Sequence, residues 1–283
     1  MMQMRIILNP IKDNTASAST ESTSVKRLRV SLGTLVAVEA TSTCAATAEV
    51  AIEAAFAAIA QVHRRMHPHS PDSDLAKINN APLNTRLTVH PSIHQLLDFA
   101  RRLNSTTDGA FDPCLPGRPG RLQDIEVSTE HVLCHAPVAL DFGGFAKGFA
   151  VDQAVEALLS NGCTGGLVNA GGDLRVFGPR TEPIFLRGPT GELQEARFAA
   201  GALAVSDADS QNRPPEHQGY YVRNRSRSRG SSASGRDPLV TRYAAVMAKE
   251  AMVADALSKC VLVCTPPTAA RALRAFEATR VAT

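Results

Sequence analysis

Tryptophan is missing altogether, and tyrosine occurs three times in 283 residues. Any ring that stacks on a ligand must therefore be Phe or His. An excess of one charge is missing too: 30 Lys and Arg face 27 Asp and Glu, a formal net charge of +3. That balance is too even to hold a nucleic-acid backbone or an anionic membrane surface by bulk charge. The six cysteines, Cys44, Cys114, Cys134, Cys163, Cys260 and Cys264, contain no C-x-x-C pair. This spacing excludes a zinc ribbon and a thioredoxin-type redox pair, and scattered thiols suit a reducing compartment. Cys260 and Cys264 stand four apart in an apolar run and read as core. No apolar run approaches the length of a membrane span, and Met4 to Leu8 is too short for a signal h-region. With no lipobox-like Cys near the start, a cytoplasmic location is expected. No internal repeat is visible.

What is present is ordinary for a globular protein, with 44% hydrophobic and 20% charged residues. Residues 1–24, dense in Ser and Thr, read as a disordered leader, and residues 25–283 as a single domain. Arg29 to Glu39 alternates as a strand bent at Gly33. Ala45 to Met66 carries Val50, Ile52, Ala55, Phe56, Ile59 and Val62 at helical steps and closes on His63, Arg64 and Arg65, where cations suit the helix dipole. Pro91 opens another helix, with Ile93, Leu96, Leu97, Ala100 and Leu103 on one face. Residues 183–205 read as short strands with hairpin-like connections, and Tyr243 to Met247 as a further strand. Met252 to Val263 reads as a buried helix and Thr268 to Ala278 as a final amphipathic one. Strands and helices interleave without a regular βαβ period, so the expected class is α+β, with mixed or antiparallel sheets and packed helices. Arg223 to Arg236 holds five arginines and one apolar side chain, Ala233. It reads as a flexible solvated loop rather than a nucleic-acid binding segment.

The stretch from Val138 to Gly178 carries the chemistry. A short apolar strand, Val138 to Leu140, meets Asp141, and Gly143 and Gly144 follow. An amphipathic helix then places Ala150, Val151, Ala154, Leu158 and Leu159 on one face and stops at Asn161-Gly162. A strand, a glycine turn and a helix N-terminus gather backbone N–H groups and a positive dipole end at one point, which suits a phosphate. Lys147 in the first helical turn opposes the dipole and therefore reads as a cation for a ligand. The glycine spacing matches neither the dinucleotide fingerprint nor the P-loop. Beyond the helix, Asn169-Ala170-Gly171-Gly172-Asp173 repeats the glycine-acid turn. Two such turns flanking one helix point to an extended ligand bearing a polyphosphate.

These residues belong to a set of five blocks between about Val30 and Val263. They are Leu32-Gly33-Thr34, the segment from Met66 to Asn79 around Ser73-Asp74-Leu75, Thr107-Asp108-Gly109-Ala110-Phe111-Asp112-Pro113, Asp141 to Asp152, and Ala254-Asp255-Ala256-Leu257. In this order the blocks resemble the ApbE family, the FAD:protein FMN transferases, which bind flavin and depend on magnesium. The resemblance implies an ApbE-like fold and a reaction that splits FAD at its pyrophosphate. FMN goes to a Ser or Thr hydroxyl of an acceptor redox flavoprotein, and AMP leaves. Attack on phosphorus needs charge neutralised at the phosphate oxygens and a positioned hydroxyl.

Carried over residue by residue, the resemblance assigns Lys147, Asp255 and Lys259 to catalysis. It places Leu32, His69, Ala110, Phe111, Asp112, Asp141 and Lys147 against the cofactor, with His69 where relatives have a Tyr. The Gly144 carbonyl and Asp255 fall at metal-ligand positions. A third family ligand, a Thr, is Lys259 here. An ammonium cannot ligate Mg²⁺, so Ser258 or water takes the place, or the lysine charge stands in for part of the cation. Weak magnesium dependence is the expectation. A second departure is the family block His-x-x-Asp-Pro-x-Thr-Gly, which reads Ser234 to Thr241 with serine at the His position, while the preceding Thr-Ser-Gly has become Val205-Ser206-Asp207. Two other functions share the same residues: an FAD-binding protein that has lost transfer, and a metal-dependent FAD pyrophosphatase with water as nucleophile.

Overall fold

The computed structural model describes residues 22–179, 181–187, 192–208 and 240–281. The Arg223–Arg236 segment, the serine at the expected His position and most of the leader lie outside the described residues. β1 (Thr23–Ser31) and β2 (Thr34–Ser42) lead into α1 (Ala45–Met66), α2 (Asp74–Asn80) and α3 (Pro91–Thr106). Short strands β3 (Ile125–Val127) and β4 (Val132–Cys134) precede α4 (Ala146–Ser160). Then come β5 (Gly165–Ala170), β6 (Asp173–Phe177), β7 (Glu182–Arg187), β8 (Leu193–Phe198) and β9 (Gly201–Asp207). β10 (Tyr243–Ala248), α5 (Ala251–Val263), α6 (Pro266–Ala275) and β11 (Thr279–Val281) complete the order.

Seven of these strands form one sheet in the order β1-β2-β5-β6-β9-β10-β11, with every neighbouring pair antiparallel. The α+β class therefore holds. Period-two alternation splits the sheet's two faces between two cores. On β9 and β10, Ala202, Ala204, Ala244, Val246 and Ala248 belong to the large core shared with the helices. Their neighbours Leu203, Tyr243, Ala245 and Met247 belong to a smaller cluster with Ile184, Leu186 and Phe198 of the β7–β8 hairpin. The small side chains on the helix side let α5 approach the sheet closely. β10 is buried at all six positions, which explains its unbroken apolar run.

Several sequence expectations are corrected. Arg29 to Glu39 is a hairpin and not one bent strand: Leu32 (φ 53°) and Gly33 (φ 71°) both adopt left-handed backbone and turn β1 onto β2, as a two-residue primed turn requires. The leader ends sooner than expected, since Thr23 and Ser24 already pair with Ser42 and Thr41. Val138 to Leu140 is not a strand. Leu140 makes one isolated bridge to Cys114, and the Asn79 side chain amide takes the place of a strand partner, donating to its C=O at 2.9 Å and accepting its N–H at 2.7 Å. The stiff loop after Met66 contains α2, begun by Ser73, whose hydroxyl accepts the Ala76 N–H. The last helix stops at Ala275, and Thr279–Val281 turns back to pair with β10.

By length and apolarity alone, α1 could cross a bilayer. Its apolar face, including Ile52, Phe56 and Ile59, is instead buried in the core. Glu49 and Glu53 on its outer side pair with Arg27 and Arg29 of β1.

α4 and α5 touch backbone to backbone at Gly148, where an added Cβ would lie 2.3 Å from the Ala251 carbonyl oxygen. Helix propensity alone favours Gly148→Ala by about 1 kcal/mol. Overpacking against rigid backbone opposes this by about 3 kcal/mol. Gly148→Ala is therefore expected to lower the unfolding free energy by about 2 kcal/mol in urea denaturation, and unchanged or raised stability would show that the two helices can move apart freely.

Candidate functional site

Each of the two touching helices closes the other's N-terminus. α5 has no side-chain cap of its own at Glu250. Asp152 of α4 supplies one, accepting the Ala251 N–H at 2.9 Å and the Met252 N–H at 2.8 Å while pairing with Arg175 of β6 at 2.8 Å. In return, Asp255 of α5 accepts the Gly148 N–H of α4 at 2.9 Å. A helix N-terminus buried in this way needs such partners, because each orphan N–H left dry costs about 1–3 kcal/mol. Burial pushes the Asp152 carboxyl above its ordinary value, against the lowering by the Met252 and Ala251 N–H groups and Arg175.

Two of the N–H groups expected to stand open at the start of α4 already have partners. The Ala146 N–H already donates to Phe142 O at 2.8 Å and the Gly148 N–H to Asp255. Charged side chains gather beside this helix start. Lys147, with 39% of its side chain exposed, places Nζ 2.7 Å from Asp173 Oδ2, a charge contact outside hydrogen-bond angles. Asp173 is 1% exposed at the start of β6, just past the Gly171-Gly172 turn. Lys259 pairs with the fully buried Asp255 one helical turn before it and also donates to the Asp255 carbonyl at 3.2 Å. Two carboxylates and two ammoniums thus meet where α4, α5 and β6 converge. Burial pushes the Asp173 carboxyl up, Asp255 adds to the rise, and Lys147 and Lys259 oppose it. Burial works against the Lys147 ammonium, but Asp173 and Asp255 outweigh it and hold its pKa above the ordinary lysine value.

The turns around this cluster bring several other expected residues close. A Cβ on Gly171 would lie 2.6 Å from Thr34 Oγ1, so the Leu32-Gly33-Thr34 turn abuts the β5–β6 turn, with Leu32 packed on the core. A Cβ on Gly144 would lie 3.5 Å from the Phe111 ring, so the Ala110-Phe111-Asp112 segment faces the Gly143-Gly144 turn. Phe111 itself is 9% exposed and packs against Phe145 with ring centroids 5.7 Å apart. Ala110 is half-buried beside it. Asp112 accepts the Cys114 N–H at 2.9 Å, an Asx turn, and burial raises its carboxyl above the ordinary value despite that bond.

His69 and Asp141 stand apart from the charge cluster. They line a groove of about 460 Å³, a common size for a small-molecule site, together with Pro71, Asn79 and Arg118. Asp141 accepts the Gly143 N–H, so this groove runs into the glycine turn that starts α4. His69 is exposed, with its ring edge toward His67. Arg118 bonds the Val138 carbonyl at 2.9 Å and the Asn79 carbonyl, presenting a guanidinium to the groove. Sequence reasoning misses Asp173 and Arg118 as site residues. Asp173 was legible as the acid of the second glycine turn, whereas Arg118 in Gly117-Arg118-Pro119 has no spacing signal.

Together the fold and these charges define an α+β protein with a paired-charge cluster and a separate groove. The sequence model of the ApbE family matches residues 32–117 and 120–282, and the chain belongs to that family. An FAD:protein FMN transferase of Rhodobacter capsulatus is 29% identical over 176 residues, which are 52% of this chain and 33% of that protein. One from Treponema pallidum (strain Nichols) is 26% identical over 185 residues, 54% of this chain and 51% of the relative. The chain therefore spans between a third and about half of these curated relatives. Two solved structures share its fold. The flavinyl transferase ApbE of Pseudomonas stutzeri, apo form, has a TM-score of 0.74 at 17% identity and covers 92% of this chain and 90% of its own. The flavin transferase ApbE of Vibrio cholerae has a TM-score of 0.72 at 18% identity, covering 92% and 93%.

The mutual capping should dominate stability near the site. Asp152→Asn keeps one acceptor but leaves Arg175 without its carboxylate and places an NH₂ group against a helix N–H. It is expected to lower the unfolding free energy by about 3 kcal/mol in urea denaturation. A loss below about 1 kcal/mol, the scale of an exposed pair, would contradict a capping role.

Proposed function

We propose that the protein is an FAD:protein FMN transferase, acting with FAD as donor on a Ser or Thr hydroxyl of an acceptor redox flavoprotein and releasing AMP. The observation that carries the reading is Lys147, a half-exposed ammonium fixed on the buried Asp173 between two glycine turns, in a chain whose family includes enzymes of that name. Its remaining N–H donors are free in number to reach phosphate oxygens, since an ammonium has three. The positive end of α4 adds a fixed field in the same direction. The groove lined by His69, Asp141 and Arg118 suits one end of a dinucleotide. In the transfer, the acceptor hydroxyl oxygen forms a bond to the FMN phosphorus, the bond to the AMP oxygen breaks, and the hydroxyl proton passes to solvent. Lys147 steadies charge on the non-bridging oxygens as this happens.

The family also implies Mg²⁺, which would neutralise phosphate charge when bound. The donor set does not fit it. Asp255 has one oxygen on the Gly148 N–H and the other on Lys259, so the Gly144 carbonyl gains no acidic co-ligand there. Ser258 does not replace the family Thr either: its hydroxyl lies 2.6 Å from Ser206 Oγ and donates to the Asp255 carbonyl at 2.8 Å. No group of three or more His, Cys, Asp or Glu able to hold a metal occurs among the described residues. The transfer step above therefore uses side chains alone.

Incubating the protein with FAD and an extract of the cells that encode it tests this reading. A protein band that keeps flavin fluorescence after denaturation, together with AMP release, is the expected result. AMP and FMN released without any acceptor would make it a pyrophosphatase, and bound FAD with no AMP would make it a flavin-binding protein.

A further inference from the structure

The resemblance implies a divalent cation on Asp255, and the chain puts a lysine on that carboxylate. We propose that Lys259 is a built-in replacement for that cation, so that the site binds an FAD pyrophosphate without magnesium; the second half of this statement rests on the flavin reading above. Lys259 stands four residues after Asp255 on α5, the favourable order for an acid and a lysine on one helix. Its ammonium touches the carboxylate and the carbonyl of the same residue, and its side chain is 16% exposed while that of Asp255 is 0% exposed. The grip is specific to this geometry, because Asp255 is already anchored from the other side by the Gly148 N–H. The carboxylate cannot swing away to take a metal without releasing α4.

Charge counting supports the same conclusion. Among the described residues, Asp173 and Asp255 contribute two negative charges to the cluster, and Lys147 and Lys259 two positive ones that balance them. A dication added to this set would meet an ammonium already on its ligand. With a neutral residue at 259, two buried carboxylates would share one lysine, and the cluster would hold an unbalanced negative charge that draws a cation. The hydroxyl groups nearby offer no substitute, since Ser206 and Ser258 bond each other.

The test is a calorimetric titration of MgCl₂ into the protein without flavin, with the melting temperature followed in parallel. The native protein is expected to take up no stoichiometric Mg²⁺ and to melt at the same temperature with and without millimolar Mg²⁺. Lys259→Thr is expected to bind one Mg²⁺ at least about tenfold more tightly and to be stabilised by it. Lys259→Gln, which keeps a hydrogen bond to Asp255 without charge, serves if the threonine variant does not fold. Stoichiometric Mg²⁺ binding by the native protein would overturn the proposal, as would folded variants that gain no affinity. FAD affinity measured in EDTA and in Mg²⁺ completes the test. Equal binding in both supports a metal-free site, and binding that needs Mg²⁺ overturns it. FAD binding in neither condition counts against the flavin reading, while the flavin-free titration still decides the role of Lys259.

Discussion

Asp152 and Asp255 each reach across to the other's helix and accept the backbone N–H groups at its start, and Gly148 is the point where the two backbones touch. Everything at the site hangs on that clasp. It sets α4 against α5 closely enough for Lys147 and Lys259 to share one pocket of charge with Asp173. Burying carboxylates is unfavourable in itself. Here the same atoms that satisfy helix N–H groups also create the negative charge that holds the lysines in place.

The sheet provides the second half of the site. Asp173 begins β6 at the tip of the β5–β6 hairpin, and the β1–β2 turn packs its Thr34 side chain against Gly171. A turn that tight tolerates little besides glycine, which is why the acid emerges at a fixed place. Small residues on the helix side of β9 and β10 then let α5 lie low enough for Asp255 to point at α4 instead of outward. The large aromatic cluster of Phe99, Phe111, Phe142 and Phe145 fills the remaining space under the glycine turn.

Much of this was legible from residues alone, and the exceptions have physical causes. The long helices announced themselves by period: α1 and α4 run where their apolar steps and terminal signals place them. The pairing of Lys259 with Asp255 was legible from spacing, because residues four apart on a helix are neighbours. What escaped was everything set by contacts between distant segments. The Asn79 amide standing in for a strand partner of Leu140 cannot be inferred from either segment alone. Nor can the reciprocal caps, since six of the described strands lie between α4 and α5 in the sequence. Two of the N–H groups expected to stand open at the start of α4 are taken, one by Phe142 nearby and one by Asp255 of α5, a partner that no local pattern reveals. Arg27 and Arg29 likewise look like free surface cations until α1 places Glu49 and Glu53 beside them.

If the lysine-balanced cluster is the phosphate site, a bound dinucleotide must lay its pyrophosphate there and its rings to either side. A crystal structure of the protein soaked with FAD in the absence of divalent metal measures this directly. The account predicts pyrophosphate oxygens within hydrogen-bond reach of Lys147 Nζ, one end of FAD in the groove of His69 and Asp141, and Lys259 still on Asp255. FAD bound on the opposite face of the sheet, under the β7–β8 hairpin, or a pyrophosphate with no lysine contact would contradict it.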